Sequence, residues 1–384
     1  MAHIVGGLAS SHIPSIGGAI AKGIQQDPYW KPFFDGFPPI HEWLGKVKPD
    51  VAVVFYNDHG LNFFLDKMPT FAVGAAAQYN NADEGWGIPT LPPFKGAPDL
   101  SWHIINELVE KEFDVVTCQE MLVDHAFTLP LKLFWPGDTC PVLTVPICIN
   151  TVQFPLPSAK RCYNLGKAVG DAIRSWDSDL NVAILGTGGL SHQLDGERAG
   201  HINKAFDLEF MDSLQKNPEW ATQFSIHELV EKTGTQGVEL VMWLAMRGAL
   251  GDKVQPVHEN YHIPISNTAT GLLVRGEDGA ERTIAACVRS LRQQAYPHVQ
   301  IVLVDNHSTD RTCELAAEYV DRVIVAVAPS DSKGPWFTVE ERLAMAREAC
   351  KLREGGGLTC RIVQAAQQLL PRCGGSLQFI VQRP

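Results

Sequence analysis

The chain has 384 residues and a formal net charge of −11 at pH 7, with 45% hydrophobic and 20% charged residues. These values are typical of a globular protein, and the length allows one large domain or a large domain followed by a small one. The negative charge argues against a nucleic-acid partner or an anionic membrane surface. No apolar run reaches the roughly 18 residues of a membrane span, and no signal-peptide pattern is present, so we expect no membrane association.

The cysteine pattern bears on the cellular compartment. The chain has nine cysteines, an odd number, and no Cys-x-x-Cys pair. This pattern fits reduced thiols better than a disulfide framework. We therefore expect a cytoplasmic protein.

Residues 1–273 alternate between apolar segments of strand length and segments with helical spacing. The predicted elements in chain order are a strand over 4–7, a helix over 40–47, a strand over 51–56, a helix over 100–112, strands over 113–117 and 141–148, a helix over 162–176 and a strand over 181–185. This alternation predicts an α/β fold with a mixed central sheet flanked by helices. Residues 69–98 are rich in Gly, Pro and Asn and form either an ordered loop over a site or a mobile surface loop.

The pattern changes beyond a break near residues 275–279. We place a linker at 274–280 and a second, small α/β segment at 281–384. Within that segment, the predicted elements are a helix over 283–294, a strand over 298–305, a helix over 310–319, a strand over 322–328 and a helix over 339–352. The elements from residue 283 to residue 328 form one compact βαβ-like unit, comparable to half of a nucleotide-binding fold.

Three histidines each follow an apolar, strand-like run: His12, His59 and His192. Loops after the strand C-termini of an open α/β sheet converge on one crevice, so these residues can meet there. Glu239 stands near the start of an otherwise apolar helix. Two histidines and one carboxylate form the facial triad of non-haem Fe(II) oxygen chemistry, and the remaining histidine would then be free to move protons.

Each of these residues also has a structural interpretation. His12 and His59 could be hydrogen-bonded loop or turn residues, and the Gly186–Gly189 run before His192 could be either a tight turn or a close approach to a ligand. Glu239 could be an exposed first-turn acid favoured by the helix dipole. The joint placement of the four residues at strand ends of one domain favours the metal site.

Residues 1–273 resemble the class III extradiol ring-cleaving dioxygenases, in particular the β subunits of the protocatechuate 4,5-dioxygenase type. The segments that carry the resemblance, in matching order and spacing, are 10–14, 56–59, 82–87, 123–125, 186–193, 237–250 and 265–269. The resemblance implies that His12, His59 and Glu239 bind Fe(II) and that His192 is the catalytic acid and base. It further implies that His125 lines the pocket and that Ser266 and Asn267 lie near the substrate's carboxylate end.

The same resemblance implies a small aromatic substrate and O2. A carboxylated catechol is expected, either protocatechuate or a relative such as gallate or 3-O-methylgallate. The family's protocatechuate enzymes also need a small helical α subunit that closes the site, and nothing in this chain resembles that subunit. We expect an oligomer.

Residues 281–328 resemble the first nucleotide-binding unit of inverting nucleotide-sugar glycosyltransferases, through the segments 286–291 and 302–312. The resemblance implies that Asp305 would contact a nucleoside. The family's downstream Asp-x-Asp motif does not occur between residues 311 and 384, so we expect a non-catalytic appendage or an incomplete fragment. The alternative functions for the chain are nucleotide-sugar binding or a glycosyltransferase-related role through this segment, and a catalytically dead scaffold.

Overall fold

A computed structural model describes residues 2–85, 91–264 and 268–277, together with four strands of the C-terminal part. The chain divides into two compact units, Met1–Glu277 and Asp278–Pro384. Among the described residues, no helix has both the length and the apolar character needed to cross a bilayer.

The first unit contains eleven strands and nine α-helices among its described residues. The strands are β1 (His3–Ser10), β2 (Val51–Tyr56), β3 (Phe71–Gly74), β4 (Gln78–Asn81), β5 (Phe94–Lys95), β6 (Val116–Cys118), β7 (Leu122–Val123), β8 (Leu143–Ile149), β9 (Asn181–Thr187), β10 (Val254–His262) and β11 (Thr270–Glu277). The helices are α1 (Pro14–Lys22), α2 (Lys31–Phe34), α3 (Pro38–Val47), α4 (Pro98–Glu110), α5 (His125–Phe134), α6 (Ala159–Ser175), α7 (Lys204–Lys216), α8 (Ile226–Thr233) and α9 (Leu240–Ala249). Two short 3-10 turns, Trp220–Gln223 and Gly237–Glu239, precede α8 and α9.

Eight strands form one mixed sheet in the order β10-β11-β1-β9-β2-β8-β3-β6. The four central strands β1, β9, β2 and β8 are parallel, whereas β11 pairs antiparallel with β1 and β3 pairs antiparallel with β8. The predicted fold class, a mixed sheet flanked by helices, is therefore confirmed. Strands β4, β5 and β7 form a separate small sheet.

The central strands are buried on both faces, which explains their continuous apolar sequences. In β2, Val51, Val53 and Phe55 belong to one core cluster, whereas Ala52, Val54 and Tyr56 belong to the other. The first cluster includes the apolar residues of α4, α6 and α9, and the second includes those of α1, α3 and α5. Helices therefore cover both faces of the sheet and leave the strand ends as the edge where polar side chains can gather.

The end of the first unit differs from the sequence prediction. Strand β11 runs to Glu277, so residues 274–277, which we had placed in a linker over 274–280, belong to the sheet. Val274 pairs with Leu8 of β1 and is completely buried. The charged and glycine-rich sequence near this end of the strand suggested a linker that begins several residues too early. In the structure, β11 stays paired with β1 and β10 almost to its last residue. Residues 278–280 lie outside the described residues.

In the second unit, the described strands are β12 (Gln300–Asp305), β13 (Arg322–Val327), β14 (Thr359–Gln364) and β15 (Leu377–Gln382). They form a sheet in the order β12-β15-β13-β14, in which β13 and β14 are parallel and β15 is antiparallel to both of its neighbours. Two of these strands occupy the segments predicted as strands over 298–305 and 322–328. The helices predicted over 283–294, 310–319 and 339–352 lie outside the described residues.

Candidate metal centre and active site

The topology of the sheet brings three predicted histidines to one edge. His12 follows β1, His59 follows β2, and His192 follows β9. Since β9 lies between β1 and β2 and is parallel to both, the loops that carry these histidines leave the sheet side by side at its carboxyl edge. This is the position at which open α/β sheets bind ligands.

Glu239 joins His12 and His59 in a compact cluster. Its Oε2 lies 3.3 Å from His12 Nε2, and its Oε1 lies 3.6 Å from His59 Nε2. His12 and Glu239 are 2% and 4% exposed, whereas the His59 side chain keeps 30% of its surface exposed. The cluster is thus buried on the side of His12 and reachable from solvent on the side of His59.

The donor set fits a divalent metal ion. His12 Nε2 is buried and makes no hydrogen bond to the part of the chain that the structure describes. A buried polar atom without a partner is uncommon in folded proteins and requires an explanation. Two imidazole nitrogens and a carboxylate at these separations are the ligands of the facial triad that binds Fe(II).

Backbone geometry and two hydrogen bonds hold the Glu239 carboxylate in place. Oε2 accepts a hydrogen bond from Gly189 N at 2.9 Å, and Oε1 accepts one from Asn57 Nδ2 at 3.1 Å. Gly188 has a φ of +138°, and a Cβ there would lie 2.9 Å from Glu239 Cβ. The glycine run after β9 therefore makes room for the carboxylate, and Glu239 is a buried residue rather than an exposed first-turn acid.

The protonation of the cluster follows from its charges. Burial raises the pKa of Glu239, but His12 and His59 more than offset this and hold that pKa well below its ordinary value. Burial lowers the pKa of His12, and Glu239 offsets this only in part. Burial also lowers the pKa of His59, but Asp124 and Glu239 outweigh it and raise that pKa well above its ordinary value. An ionised carboxylate beside a neutral His12 favours a cation, whereas the raised pKa of His59 means that this ligand must release a proton when a metal binds.

Asp124 orients His59. Asp124 Oδ2 lies 2.9 Å from His59 Nδ1 and accepts a hydrogen bond from His59 N at 2.8 Å, while Oδ1 caps helix α5 through Ala126 N at 3.0 Å. With Nδ1 engaged, His59 directs Nε2 to Glu239. Metal-binding histidines in proteins typically have such a carboxylate partner.

His125 lies against the predicted ligands. Its ring stacks on His59 with the centroids 4.3 Å apart, and its Nδ1 contacts Glu84 Oε2 at 2.5 Å. His12, His59 and His125 each offer a nitrogen within 4.8 Å of the other two. The structure therefore places His125 at the cluster, where it can contact either a bound ligand or the metal itself.

His192 is buried at the same sheet edge. Its Nδ1 is bonded to Leu190 O at 2.9 Å, and its backbone N donates to Thr233 O at 2.8 Å. A Cβ on Gly189 would lie 2.4 Å from His192 Cε1, so the imidazole packs directly on the glycine run. His192 is also close enough to Glu239 for its charge to lower the pKa of that carboxyl.

Sequence reasoning missed the residues that hold the cluster: Asn57, Glu84 and Asp124. Asp58-His59 and Asp124-His125 are Asp-His pairs in the sequence, and a carboxylate beside a candidate ligand was the available signal. Ser266 and Asn267, which the resemblance places near the substrate's carboxylate end, lie outside the described residues.

Residues 6–271 match the family described as the catalytic LigB subunit of aromatic ring-opening dioxygenase. This match covers more than half of the chain, and the chain belongs to that family. Residues 275–335 match glycosyl transferase family 2.

Among its relatives, the chain is 40% identical to a gallate dioxygenase of Pseudomonas putida over 200 residues, which are 52% of this chain and 59% of that protein. It is 36% identical over 199 residues to a 2,3-dihydroxyphenylpropionate/2,3-dihydroxicinnamic acid 1,2-dioxygenase of Photorhabdus laumondii, which is 51% of this chain and 58% of that protein. The chain thus spans less than two thirds of the length of these relatives. A solved structure of an uncharacterized Escherichia coli K12 protein covers 71% of this chain and 100% of its own, with 14% identity and a TM-score of 0.43.

Proposed function

We propose that the first unit is an Fe(II)-dependent extradiol dioxygenase that inserts both atoms of O2 into a carboxylated catechol. The observation that carries this proposal is the buried cluster of His12, His59 and Glu239 at the carboxyl edge of the sheet, in which His12 Nε2 faces the Glu239 carboxylate at 3.3 Å without a hydrogen bond to the described part of the chain. Membership of the ring-opening dioxygenase family supports the reaction class. Protocatechuate, cleaved at the 4,5 bond to a carboxy-hydroxymuconate semialdehyde, is the first candidate substrate, followed by gallate and 3-O-methylgallate.

His12, His59 and Glu239 would hold the iron. When bound, the iron supplies coordination positions for the catechol oxygens and for O2, and a path for electron density between them. Asp124 orients His59 and Asn57 orients Glu239, so the three ligands are held in place by their own partners before the metal arrives.

His192 would be the catalytic acid and base. Its Nδ1 is bonded to the Leu190 carbonyl and therefore carries a proton, which leaves Nε2 as the basic atom. Nε2 would take a proton from a hydroxyl of the bound catechol. The imidazolium so formed would return that proton later in the same turnover.

His125, Ser266 and Asn267 would contact the substrate. His125 packs on His59, on the solvent-accessible side of the cluster, and Glu84 holds its Nδ1. Ser266 and Asn267 would receive the substrate's carboxylate end. The names of the two relatives, which specify a trihydroxybenzoate and a dihydroxyphenylpropionate, support an acidic ring substrate.

We further propose that the first unit, whose boundary the sheet moves from residue 273 to Glu277, is the catalytic domain and that residues 281–384 have no catalytic role. All of the proposed site residues precede that segment. A small helical α subunit and self-association are the proposed partners. The free thiols of Cys118, Cys140, Cys148 and Cys162 support a cytoplasmic location.

An isotope experiment tests the reaction. The full chain, loaded with Fe(II) without oxygen, is given protocatechuate or gallate and then ¹⁸O2, and the product is analysed by mass spectrometry. We expect a ring-opened product with two ¹⁸O atoms. Iron-loaded protein that yields no ring-opened product from either acid, with or without an added α subunit, would refute the proposal.

A further inference from the structure

A buried carboxylate outside the metal cluster contacts the loop that carries His192. Asp207 of α7 is 1% exposed. Its Oδ1 accepts hydrogen bonds from Ser191 N at 3.0 Å and Ser191 Oγ at 2.6 Å, and its Oδ2 accepts one from Tyr261 OH at 2.9 Å. Neither the proposed metal ligands nor the proposed substrate contacts require this residue. From its bonds to Ser191 we infer that Asp207 is a positioning residue for His192.

A carboxylate at this place needs a reason, because burying an ionised group is costly unless it is fully hydrogen-bonded. Burial raises the pKa of Asp207, and the bonds from Ser191 and Tyr261 oppose that rise. Hydrogen bonds to an ionised acceptor are shorter and roughly twice as strong as neutral ones. Asp207 thus gives Ser191 two strong bonds through one atom, which fixes both its backbone and its side chain.

The position of Ser191 determines the position of His192. Ser191 lies between Leu190, whose carbonyl is bonded to His192 Nδ1, and His192 itself. The neighbouring bonds of this loop include those from His192 N to Thr233 O and from Ala269 N to Ser191 O, together with the bond from Gly189 N to Glu239 Oε2. Asp207 is therefore the charged side chain that anchors Ser191, the residue next to His192. A displacement of about 1 Å in a catalytic group can cost on the order of 100-fold in rate.

The two oxygens of Asp207 contact different parts of the fold. Oδ1 bonds Ser191 in the histidine loop, whereas Oδ2 bonds Tyr261 of β10 at the edge of the sheet. Removing either bond disturbs the same buried carboxylate, but only the Ser191 bond leads to His192. Variants of Ser191 and Tyr261 therefore distinguish a role of Asp207 in positioning His192 from a role in stabilising the fold.

The inference rests on the proposed function, in which His192 is the acid and base, and it is tested by steady-state kinetics of the Fe(II)-loaded full chain. Ser191→Ala and Asp207→Asn should lower kcat by about 10- to 100-fold, with KM and Fe(II) affinity unchanged. Tyr261→Phe should lower Tm and leave kcat unchanged. Asp212→Asn, at an exposed carboxylate of the same helix that pairs with Lys216, is the matched control. The double variant of Ser191 and Asp207 should be no slower than the slower single variant, because both changes break the same link.

Equal losses of kcat in Ser191→Ala and Tyr261→Phe, or wild-type kcat in Ser191→Ala, would overturn the inference. If Asp207→Asn does not fold, the comparison of Ser191→Ala with Tyr261→Phe still decides between the two roles.

Amide hydrogen exchange over residues 190–193 gives a readout that needs no activity. Faster exchange in Ser191→Ala but not in Tyr261→Phe supports positioning, and unchanged exchange in both overturns it. A wild-type chain that binds iron without cleaving any catechol, yet shows this exchange pattern, would refute the proposed function and leave the anchoring of the loop intact.

Discussion

At the residue scale, each histidine of the site has one ring nitrogen engaged by a neighbour. Thr187 Oγ1 lies 3.3 Å from His12 Nδ1, Asp124 engages His59, and Leu190 O engages His192. The acceptor oxygens at His59 and His192 fix the tautomer and the direction of Nε2, whereas the Thr187 hydroxyl fixes only the direction of the His12 ring. The chemistry of the site therefore depends on these partners as well as on the predicted ligands.

His192→Ala separates metal binding from turnover. The imidazole is expected to move protons and not to bind the metal, so the variant should retain Fe(II) with wild-type affinity. Its kcat should fall by about 10²- to 10⁴-fold, the usual contribution of a general acid or base. Oxygen uptake and iron content are measured on the same samples. Full activity in this variant would show that another group moves the proton.

Asp124→Asn tests the partner of His59. Asparagine still caps helix α5 well, so the fold should survive. The neutral amide is a weaker partner for Nδ1, and we expect Fe(II) affinity to fall by about 10- to 100-fold. A competition titration with a chelator measures the change, with Asp212→Asn as the control. Wild-type affinity would mean that Asp124 serves only the helix.

The sequence could predict some site residues and not their partners. His12, His59 and His192 were recognisable because each directly follows an apolar strand. The partners of Glu239 and His59 are 182 and 65 residues away in the chain, and only the folded sheet brings Asn57 and Asp124 to them. Glu84 likewise reaches His125 from a loop whose path the sequence pattern left open.

At the element scale, helices α6 and α9 pack so closely that glycine is required between them. A Cβ on Gly166 of α6 would lie 1.9 Å from Ala245 O, and one on Gly170 would lie 2.3 Å from Ala249 O. Helix α9 begins directly after Glu239, and its other side packs on β9. The α6–α9 contact therefore fixes the helix that follows Glu239, the proposed carboxylate ligand.

Gly166→Ala should destabilise the first unit by about 1–3 kcal/mol, the usual cost of overpacking. Gly45→Ala is the matched control, because Gly45 lies in helix α3 with open space around its missing Cβ. That substitution should stabilise the chain by about 0.4–1 kcal/mol, since alanine restricts the unfolded chain. Urea unfolding measures both variants. A loss of stability in Gly166→Ala no larger than the change in Gly45→Ala would contradict the close packing.

The elements that the sequence predicted share one property. Strands β2, β8 and β9 are buried on both faces and read as continuous apolar runs. Strand β10 was missed because it is an edge strand of mostly polar residues, none of them buried, and so lacks an apolar run. The segment 113–117 was placed too early, since α4 runs to Glu110 and β6 begins only at Val116. Short strands such as β5 and β7 have too few residues to show a periodicity.

At the scale of the whole molecule, the chain joins a complete α/β sheet to a second unit that matches another family over residues 275–335. β11 is the last strand of the eight-stranded sheet in chain order, and every proposed ligand precedes it. A chain ending at residue 280 should therefore fold and bind Fe(II) as the full chain does. Circular dichroism and a metal titration check this expectation. If the truncated chain folds but does not bind iron, the second unit contributes to metal binding.

The central claim is that two histidines and one carboxylate hold a single iron. An anaerobic Fe(II) titration of the full chain, compared with His12→Ala, His59→Ala and Glu239→Ala, tests it most directly. We expect one Fe(II) per chain and a loss of tight binding in each of the three variants, with His192→Ala unaffected. Tight binding that survives in Glu239→Ala but is lost in His125→Ala would contradict the account, because the three histidines would then be the metal site.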